Sequence, residues 1–183
     1  MKKSGVIEVL QKNTDPHNVV CVNRNEIDSD LLFCIPLIIE QNFLLAHYLY
    51  DFNLDGYIIV RIKDITSVKS DEKESYIMSI LKNESIYYTK EPPIIRLNNM
   101  KIIFTDLKNL NKIVIIESES IQNGDFYIGK IMEIKRSSLV FLSFNELGEW
   151  DEETKEIMYK DITMIKFDDN YSTIFSKYVK LIK

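Results

Sequence analysis

The chain of 183 residues carries 23 basic and 28 acidic side chains, a net charge of −5, and 45% of it is hydrophobic. That length can bury a real core as one medium domain or two small ones, and the apolar content excludes the disordered class. Residues 1–97 hold 11 basic and 14 acidic side chains and residues 98–183 hold 12 and 14, so neither half offers a general attraction to a phosphate backbone.

The amino terminus, "MKKSGVIEVLQKNTD", starts basic, but Glu8, Gln11 and Lys12 interrupt its apolar portion. It lacks the long apolar run and small-residue cleavage site of a secretory signal, and "GVIEVLQKN" reads as a short helix. "VVCVN" follows as a first buried strand. The segments "LLFCIPLII" and "FLLAHYLY" are separated by Glu40, Gln41 and Asn42 and are too short to span a bilayer as helices. A cytoplasmic protein with no membrane partner is therefore expected. "NFLLAHYLYDFNLDG" reads as a long β segment entering a polar, Gly-containing turn, and "GYIIVRI" alternates as a strand should.

Cys21 and Cys34 have no CxxC spacing and cannot form a tetrahedral zinc site alone. A disulfide between them stays open in principle, but without an export signal two reduced, buried thiols are the preferred reading. His17 lies in the turn-like "TDPHN" and His47 in the apolar "LLAHYLY". No catalytic motif flanks either cysteine or histidine, so a structural role is expected for all four.

"IKDITSVKSDEKESYI" (62–77) returns as "YKDITMIKFDDNYSTI" (159–174), with eight of sixteen positions identical in an ungapped comparison. The flanks agree in pattern. "SSLVFLSFNELGEWDEE" and "KEIMYKDI" match the hairpin and strand before the first copy, "KIVIIES" matches "VVCVN", and "FTDLKNLN" matches the first helix, with Thr105 as its candidate cap. Pro92 and Pro93 in "YYTKEPPIIRLNNM" break any continuous element. The expected division is a first helix and barrel at 1–89, a linker at 90–100 whose "PPIIRL" is apolar enough to pack across both halves, and a second helix and barrel at 101–183.

Five short strands in each half suit a small, bent barrel, because closure protects strand edges. "KDIT" supplies the turn between the fourth and fifth strands, with Asp64 and Asp161 bonding nearby amides and Ile65 and Ile162 pointing inward. The order of elements, together with "DGYIIVRIKDITSV" and "KEIMYKDITMIKF" followed by acidic, Ser-containing segments, resembles tandem SH3-like, more narrowly Sm-like, barrels of uncharacterised bacterial families. The resemblance implies a mainly β fold of two small five-stranded barrels in tandem, each preceded by a short helix. RNA-binding Sm proteins carry an Arg-Gly or Lys-Gly pair before the last strand. Here "KDIT" stands at both places, which puts the usual RNA pocket in doubt.

Asp64, Asp71, Asp161 and Asp168 invite a paired-carboxylate reading, but the preferred reading is that Asp64 and Asp161 order turns while Asp71 and Asp168 begin a solvated loop or helix. The run "ELGEWDEETKE" sets Glu146, Glu149, Asp151, Glu152 and Glu153 around Trp150, as a solvated hairpin tip or a surface anchored by the indole. Tyr87 and Tyr88, beside Lys90, could stack on bases, but Glu84 and Glu91 offset the charge and packing between the halves is preferred. No catalytic, cofactor-binding or metal-ligating residue is assigned, and no cofactor is expected. The preferred expectation is a non-enzymatic module for an unidentified protein partner, in one version a basic toxin that the acidic surface neutralises. RNA binding by Sm-like analogy is the alternative.

Overall fold

In "KSGVIEVLQK" the apolar residues Val6 and Leu10 stand one turn apart, and both are buried on the inner face of α1 (Lys3–Lys12). The structure, a computed structural model, describes residues 1–14, 18–40, 42–86, 93–119 and 124–180. His17, Tyr87, Tyr88, Lys90, Glu91 and Pro92 lie outside them. After α1 come β1 (Val20–Asn23), β2 (Leu32–Glu40), β3 (Phe43–Tyr50), β4 (Asn53–Arg61), a 3-10 turn (Ile62–Asp64), β5 (Ser67–Lys69) and α2 (Glu72–Asn83). The second half repeats this order with α3 (Met100–Asn109), β6 (Val114–Ser118), β7 (Asp125–Ile134), β8 (Ser138–Ser143), β9 (Lys155–Met158), a 3-10 turn (Tyr159–Asp161), β10 (Met164–Phe167) and α4 (Asn170–Tyr178).

The strands form one ten-stranded antiparallel sheet in the order β5-β1-β2-β3-β4-β10-β6-β7-β8-β9. Each half thus contributes its fifth strand beside its first, and the halves are joined where β4 pairs with β10. The hydrogen-bonded ladder is open, with β5 and β9 at its ends, and is not closed into a barrel. Across the joint Ile59 faces Ile165, and the two are only 2% and 0% exposed. Burying each such side chain contributes about 1.5–3 kcal/mol, which favours the joint over two separate units.

One apolar cluster crosses that joint. Leu45, Tyr57 and Ile59 of the first half meet Val114, Ile116, Phe141 and Ile165 of the second, under Leu81 of α2 and Phe104 and Leu107 of α3. Ile95 and Leu97, from the segment between the halves, are buried in the same cluster, so this segment packs across both as "PPIIRL" suggested. On the other face α1 covers Val20, Val22, Leu44 and Val60, while α4 brings Phe175 against Ile113, Ile128 and Phe144.

The recurring "KDIT" is an anchor at its threonine. Thr66 Oγ1 donates to the Asn23 carbonyl at 2.9 Å, and Thr163 Oγ1 lies 3.1 Å from the Glu117 carbonyl. Both backbone amides donate to those same carbonyls, at 2.8 and 2.9 Å. Each fifth strand is thereby tied to the end of its first strand. Ile65 and Ile162 are buried, at 5% and 0% exposure, as their inward phase predicts. The expected aspartate-to-amide bonds are not what forms: Asp64 accepts from Arg61 Nε at 2.7 Å, whereas Asp161 is exposed.

Two other local expectations change. Thr105 does not cap α3, because Asn99 accepts from the Ile102 amide at 3.0 Å and starts the helix earlier; Thr105 instead donates to the Lys101 carbonyl at 2.7 Å. The β3–β4 turn lies at Asp51 and Phe52, both with positive φ (43° and 61°), and not at Asp55-Gly56. Gly56 sits inside β4 at φ 69°, where a Cβ would come within 2.3 Å of the Asp169 amide nitrogen. Asp55 beside it accepts from the Asn170 amide at 2.7 Å, fastening the hairpin to the start of α4.

A buried ion pair adds a second clasp. Arg24, 1% exposed after β1, donates to Glu119 after β6 with Nη2 at 2.7 Å, and its other terminal nitrogen meets the second carboxylate oxygen. Removing one member leaves the other poorly solvated, which is costlier than never having had the pair. Arg24→Ala is expected to lower stability by about 3 kcal/mol in urea unfolding. Adding Glu119→Ala should recover part of that loss, a non-additivity the double-mutant cycle reads directly.

Candidate interaction surface

Strands expose alternate side chains, and β7 (Asp125–Ile134) turns Phe126 outward while Tyr127 packs toward the main cluster. Phe126 is 53% exposed. Tyr171, in the first turn of α4, is 46% exposed and meets the Phe126 ring edge-on at 6.5 Å. Tyr50, at the end of β3, is 57% exposed and lies 6.2 Å from the Tyr48 ring. Tyr48, Tyr50, Phe126 and Tyr171 line a shallow depression of about 320 Å³ that straddles the two halves. A neighbouring cleft of about 550 Å³ shares Phe126 and Tyr171 and continues to Phe144, Leu147 and Lys155.

Behind this strip the aromatics are packed in a row. Tyr171 contacts Phe175 at 4.7 Å, Phe175 contacts Phe144 at 5.4 Å, and Phe144 meets Trp150 edge-on at 5.3 Å. This row is apolar and packs Phe144, in the lining of the cleft, against α4. Charges sit at its borders: Lys166 lies 5.4 Å over Tyr48 and bonds Glu117 at 2.7 Å. Burial pushes the Glu117 carboxyl upward, and Lys166 works against that shift. Asp55, Glu146 and Asp151 add carboxylates to the rims.

Among the described residues, the chemistry-bearing side chains singled out in the sequence do not converge. Asp71 starts α2 in a capping box with Glu74, which accepts from the Asp71 amide at 3.0 Å. Asp168 pairs with Lys112 at 2.7 Å, and the cap of α4 is the next residue, Asp169, accepting from the Ser172 amide at 2.9 Å. Among the described residues, no group of three or more His, Cys, Asp or Glu side chains is placed to hold a metal ion. In "ELGEWDEETKE" Trp150 turns inward, donating from Nε1 to the Lys180 carbonyl at 2.6 Å, while Glu149 pairs with Lys180 Nζ at 2.5 Å. The indole thus holds the carboxy-terminal segment onto the β8–β9 loop, and Glu146, Glu152 and Glu153 remain exposed.

Cys34 stands opposite Tyr48 and His47 opposite Ile35, so thiol and imidazole occupy opposite faces of the same pair of strands. Cys21 pairs across from Phe33, one residue out of phase with Cys34, and the two thiols face opposite sides as well. Among the described residues Cys34 and His47 thus stand on opposite faces, and both cysteines are free thiols. His47 stacks on Tyr57 at 4.7 Å, and its burial lowers its pKa.

The aromatic strip escaped the sequence reading because its members are scattered, Tyr50, Phe126 and Tyr171 lying on three elements. The available signal was Phe126, a large apolar residue at the outward phase of "DFYIG". Comparison with protein families, with curated proteins and with solved structures finds no match to the chain.

Full burial pushes the Cys34 thiol up to about 12, and burial followed by the nearby Glu74 raises Cys21. Neither is expected to react with Ellman's reagent in the folded protein at pH 8, and both should react once urea unfolds it. Rapid native labelling of either thiol would contradict this placement.

Proposed function

We propose that the chain is a non-enzymatic protein-interaction module built from two SH3-like, more narrowly Sm-like, units, and that it docks its partner on the strip formed by Tyr50, Phe126 and Tyr171. The observation that carries this reading is the exposure of these three aromatics around one depression between the halves. Clustered aromatics bring large apolar area to an interface at low entropic cost, and such residues dominate binding energy. The repeated order of fifth strand beside first, with a 3-10 turn before each fifth strand, supports the SH3-like assignment of the units.

The partner segment that fits is apolar at its centre and basic at its flanks. Asp55, Glu146 and Asp151 border the strip, the two lysines there are paired, Lys155 with Asp151 and Lys166 with Glu117, and the chain is acidic as a whole. Neutralisation of a basic partner is the narrower form of the same reading. RNA is disfavoured at this surface, because Lys155 and Lys166 are already paired with carboxylates and leave no net positive rim for a phosphate backbone.

A photoreactive phenylalanine analogue at Phe126 or Tyr171 is expected to crosslink a discrete protein in the source cell, whereas the same analogue at Tyr76, 68% exposed on α2, should not. Against the purified partner, Phe126→Ala and Tyr171→Ala should each weaken binding about tenfold or more with little change in Tm. Crosslinking to RNA, or identical crosslinking from Tyr76, would overturn the proposal.

A further inference from the structure

β9 ends the ladder, and its outer edge pairs with no strand among the described residues. The first half shows what such an edge accepts. Ile62 N donates to Asn42 O at 2.8 Å, and Tyr159 N donates to Ser137 O at 3.0 Å, so β4 and β9 are in the same phase against their inner neighbours. Alternation along an antiparallel ladder then points the backbone groups of Ile59 and Arg61 toward β10, and those of Glu156 and Met158 toward open solvent.

Lys155, Glu156 and Ile157 therefore stand where Ile58, Ile59 and Val60 stand in the first half. In the internal joint those positions receive Lys166, Ile165 and Met164. A second copy of this chain would offer β5 in the same register, placing Lys69 against Lys155 and Val68 against Glu156. Like charges opposed and a carboxylate set on an apolar residue both disfavour that pairing. The clasp is missing too: Arg61 Nη1 donates to the Lys160 carbonyl across the internal joint at 2.8 Å, and Met158 occupies the corresponding place in the second half.

The edge is short and carries Lys155 and Glu156, which oppose unselective pairing and leave its backbone groups to a strand of complementary charge. It contains no proline, Ile157 is only 6% exposed, and the Glu156 carboxylate pairs with Lys135 at the rim, at 2.7 Å, where both side chains remain solvated. We infer that the outer edge of β9 accepts an extended segment of a different protein as an added antiparallel strand, with a basic residue opposite Glu156, an acidic residue opposite Lys155 and an apolar residue opposite Ile157. Main-chain bonds supply the attachment, and the two charges supply the selection.

Lys155 also lines the cleft that continues from the aromatic strip, whereas Glu156, Ile157 and Met158 do not line it. The probe is a labelled peptide copying residues 160–169 of this chain with Ile165→Lys and Lys166→Glu, titrated into the intact protein at low salt by fluorescence anisotropy. It is expected to bind about tenfold more tightly than the unaltered peptide and to slow hydrogen exchange at the Glu156 and Met158 amides. Glu156→Lys in the protein should remove that preference. Equal binding of the two peptides to the wild-type protein, or protection of amides elsewhere, overturns the inference. Tyr171→Ala should leave the peptide affinity unchanged, so this edge and the aromatic strip can each fail alone.

Discussion

β4 and β10 meet along four residue pairs, from Met164 against Val60 to Phe167 against Tyr57, and the larger features of the molecule rest on that ladder. It turns two five-stranded sets into one sheet. It also makes the inner face of the second half continuous with the outer face of the first, because Ile165 and Ile59 share a side while Met164 and Val60 share the other. Both faces of β4 are consequently covered, and its apolar run is buried from Gly56 to Val60. The main cluster then needs Leu81, Ile95 and Phe104 as a roof over both halves, so the segment between the halves serves the core as well as connecting it.

Polar contacts reinforce the same seam. Arg24 reaches Glu119, itself bonded to Thr163 just before β10, and Arg61 bridges its own Asp64 and the Lys160 carbonyl of the other half at the same end of the ladder. Burial works against the Arg24 charge, but its hydrogen bond to Glu119, followed by that carboxylate's charge, outweighs the penalty and raises its pKa. The guanidinium remains charged throughout the physiological range. The apolar joint is thus bordered by charged groups at its Met164 end, an arrangement in which the costly charges fix how the halves register on one another.

Much of this was legible in short-range pattern. The alternation in "GYIIVRI", the inward phase of Ile65 and Ile162, and the recurrence of helix, five strands and turn all follow from residues within a few positions of each other. What was hidden depends on distant partners. Nothing local says that Gly56 must lack a side chain, because the atom it would strike belongs to Asp169. The ungapped comparison also slips after the fifth strand: β10 is one residue longer than β5, and the helix caps are Asp71 and Asp169 rather than the matched pair Asp71 and Asp168. The threonine of "KDIT" was overlooked because its bond goes to the end of the first strand, more than forty residues earlier. The aromatic strip was invisible for the same reason, since it exists only after the halves join.

The close approach at Gly56 has a mechanical result. The hairpin that ends β3 and begins β4 carries Tyr50, and the first turn of α4 carries Tyr171. Contact between Gly56 and Asp169, with the Asp55 bond to the Asn170 amide, welds those two elements together. Two aromatic walls far apart in sequence are thereby held at a fixed spacing before any ligand arrives. On the proposed docking reading, a partner entering between them meets a preorganised jaw, and part of the ordering entropy that loop-borne aromatics lose on binding has already been lost in folding.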